Sequence, residues 1–474
     1  LLAGIMPIRA QKIVSSDTFP LKFRKPPIYA ACKEVKYLLF LSKDELGIAC
    51  YDANFHFKQF VSHNIENLLN SSSIVGAVET GQNLTLLFRD NKHFSTLIYH
   101  PESRVFELGK NFEMGEFLYL SYFAHDNKLK VLGVKKNSSL LSIVAFDSIG
   151  TISKMEFELT KDHTLNSFNT PLSMVLYEKD PWSSSAENKL KKIDPEKYCT
   201  DLEARGDRKL FINGDELLIT LNLVDASNQI IKLNLSTGAH KIYTLPFPVP
   251  QSDNAQTSRV NSFVTRNKAV CVFDNEEGFN IGIYDLDSAK YIKKWLSSGT
   301  TYNSFKNYGL VAEDMRTGYI DTFKSWSKFY KKHLLESELS IAGNTTTDDR
   351  LDLYVGATKI EKKGAVPIGG APMMMGGGTM LIGIVAQKVI SPYEYVGDLD
   401  VDSHFYLSGT IDSETLETTN PSKESVLYMK FKAGYIETMQ NHSCDNIIPI
   451  NLGNKFYIGY YMYDSHQYVI TEYK

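Results

Sequence analysis

Apolar and polar positions alternate in short runs along most of the chain, and the runs end in Asp, Asn, Ser or Gly. Alternation with period two places one side chain in every two on a buried face, the pattern of a half-buried strand. Many runs come in pairs. Ile48-Ala49-Cys50-Tyr51-Asp52 turns at Ala53-Asn54 into Phe55-His56-Phe57-Lys58-Gln59-Phe60, and Leu97-Ile98-Tyr99-His100 turns at Pro101-Glu102 into Val105-Phe106-Glu107-Leu108. Val144-Ala145-Phe146, Ile231 to Leu235 and Ile281 to Tyr284 each run into a polar turn and a second alternating segment. Near the C-terminus, Tyr428-Met429-Lys430-Phe431 is read as a strand turning near Ala433-Gly434, and Tyr460 to Tyr463 as one turning into Tyr468-Val469-Ile470.

The hairpins recur. Tyr51 to Tyr99 is 48 residues, Tyr99 to Phe146 is 47, and Leu235 to Tyr284 is 49. The 89 residues from Phe146 to Leu235 hold one such period plus an insertion. A period of about 40–50 residues ending in a hairpin is that of four-stranded blades, which bury both faces only when stacked in a ring. The repeat resembles β-propeller proteins in general. It lacks the Trp-Asp of WD40 blades, the double Gly of kelch blades and a consistent Asp-box. The resemblance implies an all-β fold, a single propeller of six to eight four-stranded blades with seven the preferred count. Stacked β-sandwich sheets are the alternative.

Two segments interrupt the repeat. Residues 160–208 form a polar excursion with a helical turn expected after Ser184. Residues 364–379 are rich in Gly and Met. Phe323-Lys324-Ser325-Trp326-Ser327-Lys328-Phe329-Tyr330 suits a strand or a short amphipathic helix equally. The first ten residues, Leu1 to Ala10, read as the remnant of a secretory signal peptide cut after Ala10, leaving 11–474 as the propeller domain. That places the protein outside the cytoplasm: periplasmic, outer-membrane-associated or extracellular. No run of apolar residues reaches the length of a transmembrane helix.

Composition narrows the partners. Lys plus Arg is 51 against 55 for Asp plus Glu, a net charge of −4, so no basic field attracts nucleic acid. The five cysteines have no C-x-x-C spacing, which argues against zinc ribbons and thioredoxin-like chemistry; Cys32 and Cys50 are the nearest pair for a disulfide. Gly-x-Ser-x-Gly and His-Glu-x-x-His are both missing from the sequence. No catalytic or cofactor-binding residue is assigned.

Two segments carry candidate chemistry. Asp398, Asp400 and Asp402 would share one face of a strand and could gather carboxylates for calcium, although Ser403 and Gly409 stand where an EF-hand needs Gly and Glu. Met373, Met374 and Met375, with Met380, sit on a Gly-rich tether. They suit an adaptable contact loop for a partner. A Gly-Lys-Ser/Thr ending is missing, so that loop does not cradle phosphate. Arg205-Gly206-Asp207 is read as a tight turn. The function expected is non-catalytic: a binding or scaffold protein of a bacterial envelope or extracellular space, contacting protein or glycan through rim loops and able to associate peripherally with an envelope complex. The alternatives are a carbohydrate hydrolase or lyase at the channel mouth, and a cytosolic propeller scaffold.

Overall fold

A computed structural model describes residues 11–473, apart from internal segments of which 160–169, 246–258, 298–309 and 361–400 are the longest. The described strands form seven sheets of four or five strands and one two-stranded hairpin. Sheet I takes Ile28–Ala31, Lys36–Leu41, Glu45–Tyr51 and Phe57–Asn64. Sheet II runs from Ser73–Thr80 to Phe112–Glu113, and sheet III from Phe117–His125 to Ile152–Glu158. Sheet IV begins at Lys191–Ile193 and ends at His240–Leu245; sheet V spans Arg259–Thr265 to Lys290–Ser297. Sheet VI joins Leu310–Asp314, Ile320–Phe323, Glu338–Thr345, Arg350–Ile360 and Val401–Asp412. Sheet VII pairs Cys444–Leu452, Lys455–Met462 and Gln467–Tyr473, and its fourth strand is Gln11–Asp17 from the other end of the chain.

Alternation explains why these segments are strands, and the cores explain why they form a ring. One apolar core lies between sheets I and II (Leu39, Ile48, Leu86, Tyr99), and the next between II and III (Leu87, Phe94, Val131, Phe146). A third joins III and IV (Leu132, Ile143, Leu217, Ile231). The largest is shared by IV, V, VI and VII. The last couples VII back to I through Tyr457, Tyr468 and Ile470 against Leu38, Phe40 and Tyr51. The circuit closes, so each sheet buries both faces against neighbours. This is propeller architecture, and stacked sandwiches do not give such a circuit. Strand Gln11–Asp17 pairs antiparallel with Gln467–Tyr473, from Gln11 opposite Tyr473 to Asp17 opposite Tyr468. The two ends of the chain thus share one sheet and latch the ring.

Three sequence expectations change. Tyr428 to Phe431 is not a strand with a turn at Gly434; it lies inside the helix Lys423–Gln440. The buried positions Tyr428, Phe431, Lys432 and Tyr435 follow helical spacing, and Ser422 accepts a hydrogen bond from the Ser425 backbone N–H (2.9 Å), capping the helix. Gly434 lets the helix press onto the last strand, because a Cβ there would collide with the Tyr473 ring. The helical turn expected after Ser184 is not there: Ala186–Asn188 is a strand paired with Tyr177–Lys179, and the short helix is Leu172–Leu176. The third concerns the segment 160–208, read as a polar excursion: its residues Tyr198 to Asp201 are buried. Trp326–Phe329 is a helical turn. The Gly/Met segment 364–379 and Leu1 to Ala10 lie outside the described residues.

Candidate functional site

Charge collects in two places. The first is one face of sheet VI. Its strands alternate so that Leu339, Ile341, Leu353, Val355, Phe405 and Leu407 share one face. The other face carries Ser340, Asn344, Asp352, Thr358, His404, Thr410 and Glu313, all buried. What covers this polar face is the helix Lys423–Gln440 and the inserted segment around Tyr198–Asp201.

The cover satisfies most of the polar atoms. The Asn344 side chain pairs with the Cys199 backbone as another strand would, accepting from its N–H and donating to its C=O, each at 2.6 Å. Asp352 accepts from Tyr198 Oη (2.9 Å), Thr410 Oγ1 (2.6 Å) and Ser422 Oγ. Burial raises the Asp352 pKa in spite of these three donors. Asp201 accepts from His404 Nε2 (2.7 Å) and Ser340 Oγ (3.1 Å). On its other side His404 Nδ1 lies 3.7 Å from Glu313, which is also bonded by Lys432 Nζ. Gly356 makes room, since a Cβ there would strike Asp201 and the Phe405 carbonyl.

Two acids and two bases thus alternate, Asp201–His404–Glu313–Lys432, with no net charge when all four are ionised. Burial alone would disfavour the imidazolium, but Asp201 and Glu313 outweigh it and raise the His404 pKa. Burial opposes ionisation of Glu313 too, yet Lys432 and His404 hold its pKa down to about 2. Asp201 and Glu313 are at most 1% exposed, so the arrangement cements helix and insertion to sheet VI and offers solvent no reacting group. Nearby, Lys209 donates to Asn261 Oδ1 and to the Ser262 (2.6 Å) and Ile341 (3.4 Å) carbonyls; burial depresses its pKa to about 7.

The second place is open. A cleft of about 490 Å³ runs between sheets VII and I, lined by Lys12, Ile13, Val14, Asn54, His56, Lys455, Tyr457 and Glu472. Register builds one wall: Lys12 is opposite Glu472, which is opposite Tyr457, so the three share a face, and Lys455 lies two residues before Tyr457 on the same side. The turn in sheet I builds the other. Asp52 accepts from the backbone N–H groups of Asn54 (2.8 Å) and His56 (2.9 Å), which holds Asp52 below the usual carboxylate range. The turn drives Phe55 to φ 63° and its ring inward onto Tyr457, with centroids 4.6 Å apart. Lys36 crosses beneath, its ammonium 4.2 Å from the Phe55 centroid. Burial first, and then repulsion from Lys455, lower the Lys36 pKa to about 8.

Of the residues singled out from the sequence, Asp402 lies in strand Val401–Asp412. Asp398, Asp400, Met373, Met374, Met375 and Met380 lie outside the described residues, as does Cys32, while Cys50 is buried beside Tyr99. Among the described residues, His125, Asp126 and Asp215 come close enough for a metal. However, Lys130 Nζ sits 2.7 Å from His125 Nδ1 and Asp215 2.7 Å from Nε2, so both ring nitrogens are engaged. Sequence reading missed the cleft because its residues come from both chain ends. The one local signal is Lys36, a lysine opening an apolar strand.

The fold and the ring of cores define a β-propeller protein. Likeness to solved structures is remote: a prolyl endopeptidase (9% identity, 71% of this chain and 40% of that one, TM-score 0.33), the Dos1 propeller (12%, 72% and 71%, 0.29) and the propeller domain of the trilobed protease from Pyrococcus furiosus (10%, 61% and 91%, 0.23). The chain therefore spans well under half of the prolyl endopeptidase. No protein-family model and no curated protein matches the sequence. Among the described residues no helix is long and apolar enough to cross a membrane, which says nothing of strands.

Proposed function

We propose that this chain is a non-catalytic binding protein of a bacterial envelope or extracellular space, holding a protein or glycan partner at the rim of its propeller. The observation that carries the reading is the contrast in access. The alternating acids and bases of sheet VI are sealed and mutually neutralised, whereas the cleft between sheets VII and I presents lysines, a glutamate, a histidine and an asparagine to solvent. Concave sites with a few convergent polar groups are where ligands are held. Peripheral association with an envelope complex is consistent with this use of a rim.

The test is a printed array of neutral and acidic glycans and peptides, probed with the intact protein and with a Lys12→Glu/Lys455→Glu double variant. Binding that disappears in the variant supports the reading; array binding that survives it places the contact elsewhere. For the export part of the proposal, protein from the native host should begin at or near Gln11, which is also the first residue of the latching strand. An intact leader on folded cytosolic material would overturn it.

A further inference from the structure

We infer that the cleft between sheets VII and I recognises a carboxylate-bearing carbohydrate. The inference deepens the binding reading above and rests on it. Two lysines, Lys12 and Lys455, line the cleft and Lys36 lies beneath it, against one lining carboxylate, Glu472; Lys58 and Asp52 form a pair on the neighbouring turn. Lys58 is 3.5 Å from Asp52, but neither Lys12 nor Lys455 has an ion-pair partner within 4 Å among the described residues. On a chain of net charge −4 this is a local positive excess, held although Lys455 repels Lys36. Such an excess is relieved by an anion from outside.

The other lining groups select among anions. Glu472 projects from the same face as Lys12 and repels a compact dianion such as phosphate, but it accepts hydrogen bonds from hydroxyls. Asn54 and His56 add donors and acceptors, and Ile13 (60% exposed) gives a small apolar ledge for the C–H face of a sugar ring. A sugar acid uses both halves: its carboxylate meets the lysines and its hydroxyls meet Glu472 and Asn54. An acidic peptide fits less well, because its repeated carboxylates would meet Glu472 as well as the lysines and it brings few hydroxyls for Glu472 to accept from. The volume, about 490 Å³, lies in the range of small-molecule sites.

The experiment is calorimetric titration of the intact chain at neutral pH with three probes: a galacturonic acid trisaccharide, the galactose trisaccharide and hexaglutamate. The expected result is binding of the uronate at least about tenfold tighter than the neutral sugar. Lys12→Met or Lys455→Met should weaken it by about fivefold or more, with an unchanged melting temperature since both side chains are exposed. Equal affinity for the neutral sugar, or full affinity in both variants, overturns the inference. Tighter binding of hexaglutamate replaces it with an acidic peptide. If neither sugar binds while array ligands are still lost in the double variant, the inference fails and the binding reading stands. If the array also gives no cleft-dependent ligand, both fall.

Discussion

Sheet VI and the cleft between sheets VII and I hold ionised groups in comparable number and treat them in opposite ways. On sheet VI the four charges around His404 each have an opposite neighbour: His404 touches Asp201 and lies near Glu313, and Lys432 bonds Glu313. At the cleft, Lys12 and Lys455 are exposed and Lys36 is crowded by a like charge. The difference teaches how to separate structural from functional charge. Inside, an unpaired charge costs several kcal/mol, so pairing is a condition of folding. At a surface the cost is small, so an uncompensated group can persist for a ligand.

The comparison can be broken most severely at Lys432. Lys432→Met removes one partner and leaves Glu313 buried beside His404 alone; urea unfolding should show a loss of about 3–5 kcal/mol. The double variant Lys432→Met/Glu313→Gln should recover much of it. A loss no larger than that of a surface lysine would show that the pair carries nothing. Gly356→Ala comes next, pushing a methyl group into Asp201 and the Phe405 carbonyl, with a cost of about 1–3 kcal/mol in the same assay.

Acid is a gentler probe of the same cluster. Glu313 has a folded pKa of about 2, below its ordinary value of 4.5. A depressed carboxylate contributes stability fully above the unfolded value, lost as pH falls through the folded one. The native protein should therefore lose stability as pH falls from about 4.5 towards 2, and Glu313→Gln should flatten that part of the profile. The smallest effect belongs to the cleft. Lys455→Met should change stability by no more than about 0.5 kcal/mol while raising the Lys36 pKa, visible as a shift in its ammonium titration by NMR. A large destabilisation would make Lys455 structural and erase the contrast.

Much of the fold is legible in the sequence because a strand declares itself locally. The pairs around Asp52, Pro101 and Ser236 are hairpins in the structure, in sheets I, II and IV. The helix Lys423–Gln440 was misread for an equally local reason: Tyr428 to Phe431 is too short a window to tell period 2 from period 3.6, and Ser422-Lys423-Glu424-Ser425 was the better signal. The polar phase of strand Val401–Asp412 reads as a solvated face. Only tertiary structure supplies the cover, since Asp201 comes from 203 residues before His404. The cleft was hidden in the same way, with Lys12 and Glu472 meeting only when the ring shuts.

The latch has a mechanical consequence. Gln11 and Tyr473 are partners at one end of an antiparallel pair, so the outer ends of the two strands stand side by side. Tension applied between them loads the hydrogen bonds in sequence, one rung after another, like a zip drawn from its open end, instead of shearing all rungs together. The second rung to part is Lys12 opposite Glu472, the wall of the cleft. A pull across this pair therefore opens the ligand's seat at its second rung, ahead of the rungs from Ile13 to Asp17.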